Sequence, residues 1–239
     1  MSLGDTDKKL DELFQKCTLR NEEDKAEYER INKEIRKQTE FLWADFLPST
    51  PKYRVLLKEK NKIGLGFLKA VEMMKMFCET AITPSESKIT KSLIDALEYL
   101  TSIETNGDLA VNMMLLLLAA DGDYIHLQPD RDHWYVRHAV GFKDLENPNL
   151  PLGTKLDYLS LHGLGFFKKW IKKTLRNRIA HGDFDIDTEG NFFIIEENQD
   201  GIKIRRLADI SREVRTFRMY NNAFLSMLME KTSKFSPTS

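Results

Sequence analysis

The sequence predicts a mainly α-helical bundle with a small β element inserted before its last helix. Three observations carry that expectation. Apolar residues recur three and four apart through most of the chain. Glycine and proline are sparse, 12 and 7 among 239 residues, which disfavours a turn-rich all-β chain. The period changes only after Gly182, where short β-prone runs alternate with turn residues.

The first long helix spans roughly 20–46, with Tyr28, Ile31, Ile35, Leu42, Trp43 and Phe46 as its apolar positions. That stripe is thin and the rest is charged. Such a helix packs along one seam, and a second copy of the chain is one candidate partner. Pro48 and Pro51 stop it. They divide an N-terminal helical extension, residues 1–50, from a helical domain over 51–232, with a frayed tail at 233–239.

The next helix carries Ile63, Phe67, Val71, Met74 and Cys78 on one face. Thr83-Pro84-Ser85-Glu86 then reads as a helix start, with a cap, a proline at the first helical position and a capping box. Ile89, Leu93, Leu97 and Leu100 follow at helical spacing, and Asn106-Gly107 is expected to end that helix. Leu109 to Ala120 is apolar nearly all round and closes at Asp121-Gly122, so it is the expected central core helix. It is about one third too short to span a bilayer. A shorter helix is expected over Arg131 to Phe142, and a loop with Pro148 and Pro151 over Glu146 to Gly153.

Leu156, Leu159 and Leu164 resume the helical period, with Gly163 and Gly165 as candidate breaks. Phe167, Ile171, Leu175 and Ile179 then form an i, i+4 row on one helix that ends at Gly182. A β-hairpin or three short strands occupy about 183–206: Asp183–Ile186, Asn191–Glu196 and Ile202–Arg205 are β-prone, with turns at 188–191 and 199–201. A last helix over about Ala208 to Lys231 carries Ile210, Val214, Phe217, Tyr220, Phe224 and Leu228.

Composition excludes several function classes. Lys plus Arg number 36 against 37 Asp plus Glu, so a globally basic nucleic-acid wrapper is disfavoured and any such binding needs local clustering. Cys17 and Cys78 are too few for a disulfide framework or a cysteine zinc site, and a reducing compartment is the natural reading. Residues 1–10 lack the apolar core of a signal peptide. A soluble cytoplasmic protein without a membrane partner is the expectation.

The chemistry concentrates in Leu164 to Phe184, LGFFKKWIKKTLRNRIAHGDF. On a single helix, the row Phe167, Ile171, Leu175 and Ile179 faces the core. Lys169, Lys173, Asn177 and His181 lie roughly opposite, with Lys172 and Arg176 beside them. His181 falls in the last turn before the glycine stop. Imidazole is the side chain whose ordinary range spans neutrality, as acid–base catalysis requires. Asn177, one turn earlier, is placed to orient it. Arg176 offers a planar fork for a phosphate and its transition state. These groups suit RNA cleavage by attack of the internal 2′-hydroxyl, which needs no metal or other cofactor and leaves a 2′,3′-cyclic phosphate and a 5′-hydroxyl. DNA lacks the nucleophile.

Arg176-Asn177-Arg178-Ile179-Ala180-His181, with Gly182 after it, resembles the signature of the HEPN family (higher eukaryotes and prokaryotes nucleotide-binding). The resemblance implies a HEPN-like helical bundle that forms a homodimer. It also implies that two copies of the motif meet to build one endoribonuclease site, with Arg176, Asn177 and His181 catalytic and Lys169, Lys172, Lys173 and Arg178 meeting RNA. Many members act in toxin–antitoxin or host-defence systems, so an antitoxin or nucleotidyltransferase partner is implied. Some relatives are non-catalytic nucleotide-binding or interaction scaffolds, and that alternative stands. A further alternative pairs Arg176 with Asp183 or Asp185 and leaves His181 as a helix cap.

Other constellations are weaker. His126, His133 and His138, with Asp130 or Asp132, lack a third ligand at metal-binding spacing. Gly64-Leu65-Gly66 lacks the preceding strand and third glycine of a dinucleotide loop. Asp183, Asp185 and Asp187 fail the calcium-loop pattern. Met73, Met74 and Met76 fit a core or an adaptable interface.

Overall fold

The computed structural model describes residues 12–82, 87–120, 141–146 and 150–233. The start signal at Thr83–Glu86, the expected helix over 131–140 and the three histidines His126, His133 and His138 lie outside those residues.

Helix α1 covers residues 12–17, and α2 runs Glu22–Trp43. Asn21 caps α2 by accepting the Asp24 N–H, and Glu22, Glu23 and Asp24 complement the positive end of the helix dipole. The thin stripe is buried at Ile31, Ile35, Leu42 and Trp43. What covers it is the chain's own last helix, α11 (Ile210–Ser233). The Tyr28 hydroxyl donates to Asn222 Oδ1 at 2.6 Å, and Arg36 pairs with Glu230 at 2.6 Å.

Pro51 does not merely end a segment. It opens α3 (Pro51–Lys58) at the first helical position, where a missing N–H costs nothing, with Thr50 as cap. Helix α4 spans Lys60–Ile82. Helix α5 spans Lys88–Ser102, capped by Ser87, whose hydroxyl accepts from the Thr90 N–H. Asn106-Gly107 does not end α5. A π turn over Ile103–Gly107 carries the rod directly into α6 (Asp108–Ala120). The glycine has a packing reason instead: a Cβ there would lie 3.1 Å from Ile171 Cδ1. Helix α6 is the central core helix, with Ala110 to Leu118 buried. The joined rod Lys88–Ala120 is long and apolar enough to cross a membrane by length and composition, but 72 % of its apolar window is buried inside the protein.

A short turn, α7 (Phe142–Leu145), and α8 (Leu152–Leu161) follow. Gly163, at φ +85°, lets the chain reverse after α8. The single helix expected through to Gly182 is in fact two, α9 (Phe166–Trp170) and α10 (Lys173–Ala180). Ile171 is extended, φ −110° and ψ 96°, and the Lys172 N–H released by the break donates to the Tyr99 hydroxyl at 3.2 Å. The apolar row survives: Phe167, Ile171, Leu175 and Ile179 are all buried.

Strands β1 (Phe184–Ile186), β2 (Phe192–Glu197) and β3 (Lys203–Ala208) form an antiparallel sheet in that order. Phe184 stands opposite Ile194, and Phe193 opposite Leu207. Gly190 and Gly201, at φ +80° and +75°, close the two turns. Asp209 then caps α11 by accepting the Arg212 N–H at 2.9 Å. The protein is therefore mainly α with a small antiparallel sheet near its C-terminus. The α11 face bearing Phe217, Tyr220 and Phe224 stacks on Phe166, Phe167 and Trp170 from α9, which fixes the α9–α10 corner.

Candidate functional site

The motif lies on α10. Leu175 and Ile179 anchor that helix in the core, so Arg176, Asn177 and Arg178 are left half-buried and His181 exposed. His181 is the C-cap, and the residues after it form a Schellman closure. The Gly182 N–H donates to the Ile179 carbonyl at 3.1 Å, and the Asp183 N–H to the Arg178 carbonyl at 2.8 Å. Gly182 adopts φ +71°, a conformation that costs glycine little. The closure fixes the His181 backbone, whose N–H donates to the Asn177 carbonyl at 3.0 Å. Its imidazole has no hydrogen-bond or ion-pair partner among the described residues.

Arg176 is held by an acid that the sequence did not indicate. Its Nε donates to Glu104 Oε1 at 2.5 Å, and Nη2 bridges the same carboxylate. Its Nη1 donates to Asn177 Oδ1 at 3.1 Å. The expected acids are engaged elsewhere: Asp183 with Arg178 at 3.1 Å and Asp185 with Arg205 at 2.8 Å. Glu104 belongs to the π turn, where the widened backbone interrupts the regular ladder, a feature frequent at functional sites. The sequence carries no signal for it, since Asn106-Gly107 reads as a helix end two residues later.

Asn177 gives its side-chain oxygen to Arg176 and its backbone carbonyl to His181, so it links the two through one residue. It makes no side-chain hydrogen bond to the imidazole among the described residues. The cations expected to meet RNA are mostly paired. Lys169 pairs with Glu34, Lys172 with Glu213 at 2.5 Å, and Arg178 with Asp183. Lys173 has no ion pair among the described residues, and its methylenes lie over Gly153. The α9–α10 break also takes Lys169 off the face shared by Lys173, Asn177 and His181.

Two cavities adjoin these residues. One, of about 730 Å³, is lined by Lys168, Ile171, Lys172, Lys173, Ile194 and Glu213 at the α9–α10 corner. The other, of about 460 Å³, is lined by Lys62, Lys69, Glu104, Thr105, Asp108 and Phe142. Glu104 thus joins the second cavity to Arg176. The alternating aspartates do not converge on a common point: Asp183 and Asp185 hold arginines, while Asp187 accepts the Glu189 and Asn191 N–H groups at 3.0 and 2.9 Å. Those bonds, with the Asn191 amide first among them, hold the Asp187 carboxyl below its ordinary range.

No protein-family model, no curated protein and no solved structure matches this chain.

Proposed function

We propose that the chain is a metal-independent endoribonuclease of the HEPN type that works as a homodimer. The observation that supports it is the open His181 imidazole, seated at a closed helix end one turn from Asn177 and Arg176. In this reading the 2′-oxygen of RNA attacks the adjacent phosphorus and the bond from phosphorus to the 5′-oxygen breaks. His181 takes the 2′ proton, and the counterpart imidazole of a second copy supplies a proton to the leaving 5′-oxygen. Arg176 stabilises the extra charge on the pentacoordinate phosphorane.

Glu104 must yield Arg176 to the phosphate. The pair is partly exposed, 27 % on the arginine and 46 % on the glutamate. Breaking such a pair costs about 0–1 kcal/mol, less than a charge-assisted bidentate bond to phosphate returns. A toxin or host-defence role, with an antitoxin or nucleotidyltransferase as partner, accompanies the same reading.

The test is cleavage of a mixed RNA panel by wild type and His181→Ala in excess chelator. Wild type is expected to cut RNA but not DNA, leaving cyclic phosphate ends. His181→Ala is expected to lose cleavage with its circular dichroism and oligomeric state unchanged. Equal cleavage by the two proteins overturns the mechanism.

A second reading has its own support. With Arg176 fully committed to Glu104 and Asn177, and Lys169 and Lys172 paired, the motif also fits a non-catalytic scaffold that binds nucleotide or a protein partner. Saturable RNA or nucleotide binding without cleavage across the panel favours it.

A further inference from the structure

Helices α2 and α11 run parallel, since the Tyr28–Asn222 and Arg36–Glu230 contacts both join residues 194 apart. Their N-terminal ends, each the positive end of a helix dipole, therefore lie at the same end of the pair. A cavity of about 500 Å³ opens there, with Arg30, Arg212, Arg215 and Thr216 in its walls. Glu23, Asp24 and Glu27 share it.

Formal charges in the cleft balance, but their engagements do not. Glu27 is taken by Arg30, whose Nε and Nη2 donate to it at 2.9 and 2.6 Å. Asp24 accepts the Arg20 N–H at 3.1 Å, and Glu23 is exposed. Arg212 and Arg215 lie one turn apart on α11, and neither guanidinium has an ion pair or hydrogen bond among the described residues. Arg215 is half-buried. A half-buried guanidinium that no protein acid satisfies fits a planar, bidentate oxyanion.

The cleft continues towards the motif. Glu213, next to Arg212, pairs with Lys172 at 2.5 Å, and Lys172 is the cap of α10. Glu34 holds Lys169 and also reaches Arg30 at 3.5 Å. The Glu27 carboxyl is held below its ordinary range, by the Arg30 hydrogen bond first and then, against burial, by the charges of Arg30, Arg212 and Lys169. Lys169 and Lys172 thus link the arginines of the cleft to the start of the motif helix.

We propose that the α2–α11 cleft is a second RNA contact, in which Arg212 and Arg215 bind backbone phosphates beyond the scissile one. The ligand class rests on the endoribonuclease reading, whereas the preference for an oxyanion rests on the cleft itself. The contacts go to phosphate oxygens and not to base edges, so they raise affinity without selecting sequence. They supply local attraction in a chain that has no net positive charge.

The test is fluorescence anisotropy of a labelled single-stranded 2′-O-methyl RNA about a dozen nucleotides long, which binds without being cut. It compares the full-length wild type with the Arg212→Ala/Arg215→Ala and Arg212→Lys/Arg215→Lys double variants, after circular dichroism shows the same fold in all three. The alanine variant is expected to bind about ten-fold more weakly, with a slope of log affinity against log salt shallower by about 1.4, as two lost phosphate contacts on a single strand require. The lysine variant keeps the charges and should restore the slope. The alanine variant's loss should shrink as the RNA is shortened to a dinucleotide, which carries only the phosphate at the motif. Equal affinity and slope for wild type and alanine variant overturn the cleft as an RNA contact and leave the endoribonuclease reading standing. Arginine-dependent binding of an unmodified RNA that the wild type never cuts keeps the cleft and sinks the nuclease. A wild type that binds no RNA overturns both, and arginine-dependent binding of polyglutamate in its place would assign the cleft to an acidic protein.

Discussion

Glu104 and Arg176 set the first question, because a partly exposed ion pair is weak while the same guanidinium on a phosphate is strong. Removing the acid should therefore cost the fold little and free the arginine. Glu104→Gln keeps the shape and one acceptor, so its melting midpoint is expected within about 2–4 °C of wild type, the reach of about 1 kcal/mol in a chain of this size. Its affinity for a non-cleavable 2′-deoxy substrate analogue should rise several-fold, read by fluorescence anisotropy. Arg176→Ala should abolish that gain in the double variant. If Glu104→Gln binds no better than wild type, and Arg176→Ala no worse, Arg176 does not meet the phosphate. The contrast with Glu98 and Arg218 is instructive. Both of those side chains are 5 % exposed and hydrogen-bonded twice to one another, so that pair is structural and cannot be lent to a ligand.

At the scale of elements, the closure of α10 decides where His181 points. A Cβ on Gly182 would meet nothing within 4 Å, so substitution there tests backbone conformation alone. Gly182→Ala is expected to lose about 1 kcal/mol in urea unfolding, and Gly182→Asn less, because asparagine visits the left-handed region more readily. Equal stability of all three would mean the Schellman closure contributes nothing. Gly182 and His181 were legible from sequence because capping is local: a helical run, a glycine, then a change of period. The core row of α9 and α10 was legible for the same reason. The break between them was not, since neither Ile171 nor Lys172 disfavours helix. It exists because Tyr99 takes the Lys172 N–H and Gly107 opens room for Ile171, both supplied by the distant α5–α6 rod. Glu104 was hidden by that same rod, whose π turn continues through a dipeptide that normally stops a helix. Ile89, Leu93 and Leu97 show the converse: their spacing fixes a helix, but all three are exposed, because periodicity marks a face without naming what covers it.

For the whole molecule, 36 basic against 37 acidic residues give no net attraction for RNA, and most motif-side cations are already paired. Under the proposed mechanism the site must then gain its strength locally, from groups that two copies bring together. That is testable without knowing the RNA target. Wild-type and His181→Ala chains, mixed, unfolded and refolded at equal amounts, should give roughly half mixed dimers, as statistical pairing of a symmetric dimer requires. Each mixed dimer has a single intact His181. If the two motifs form one shared centre that needs both imidazoles, the mixed dimer is inactive and cleavage falls as the square of the wild-type fraction as the mixing ratio is varied. If each chain works alone, cleavage falls in simple proportion to that fraction. Light scattering on the wild type supplies the companion measurement, because a monomer at micromolar concentration would leave the lone imidazole of one chain without the second proton-transfer group that the reaction needs.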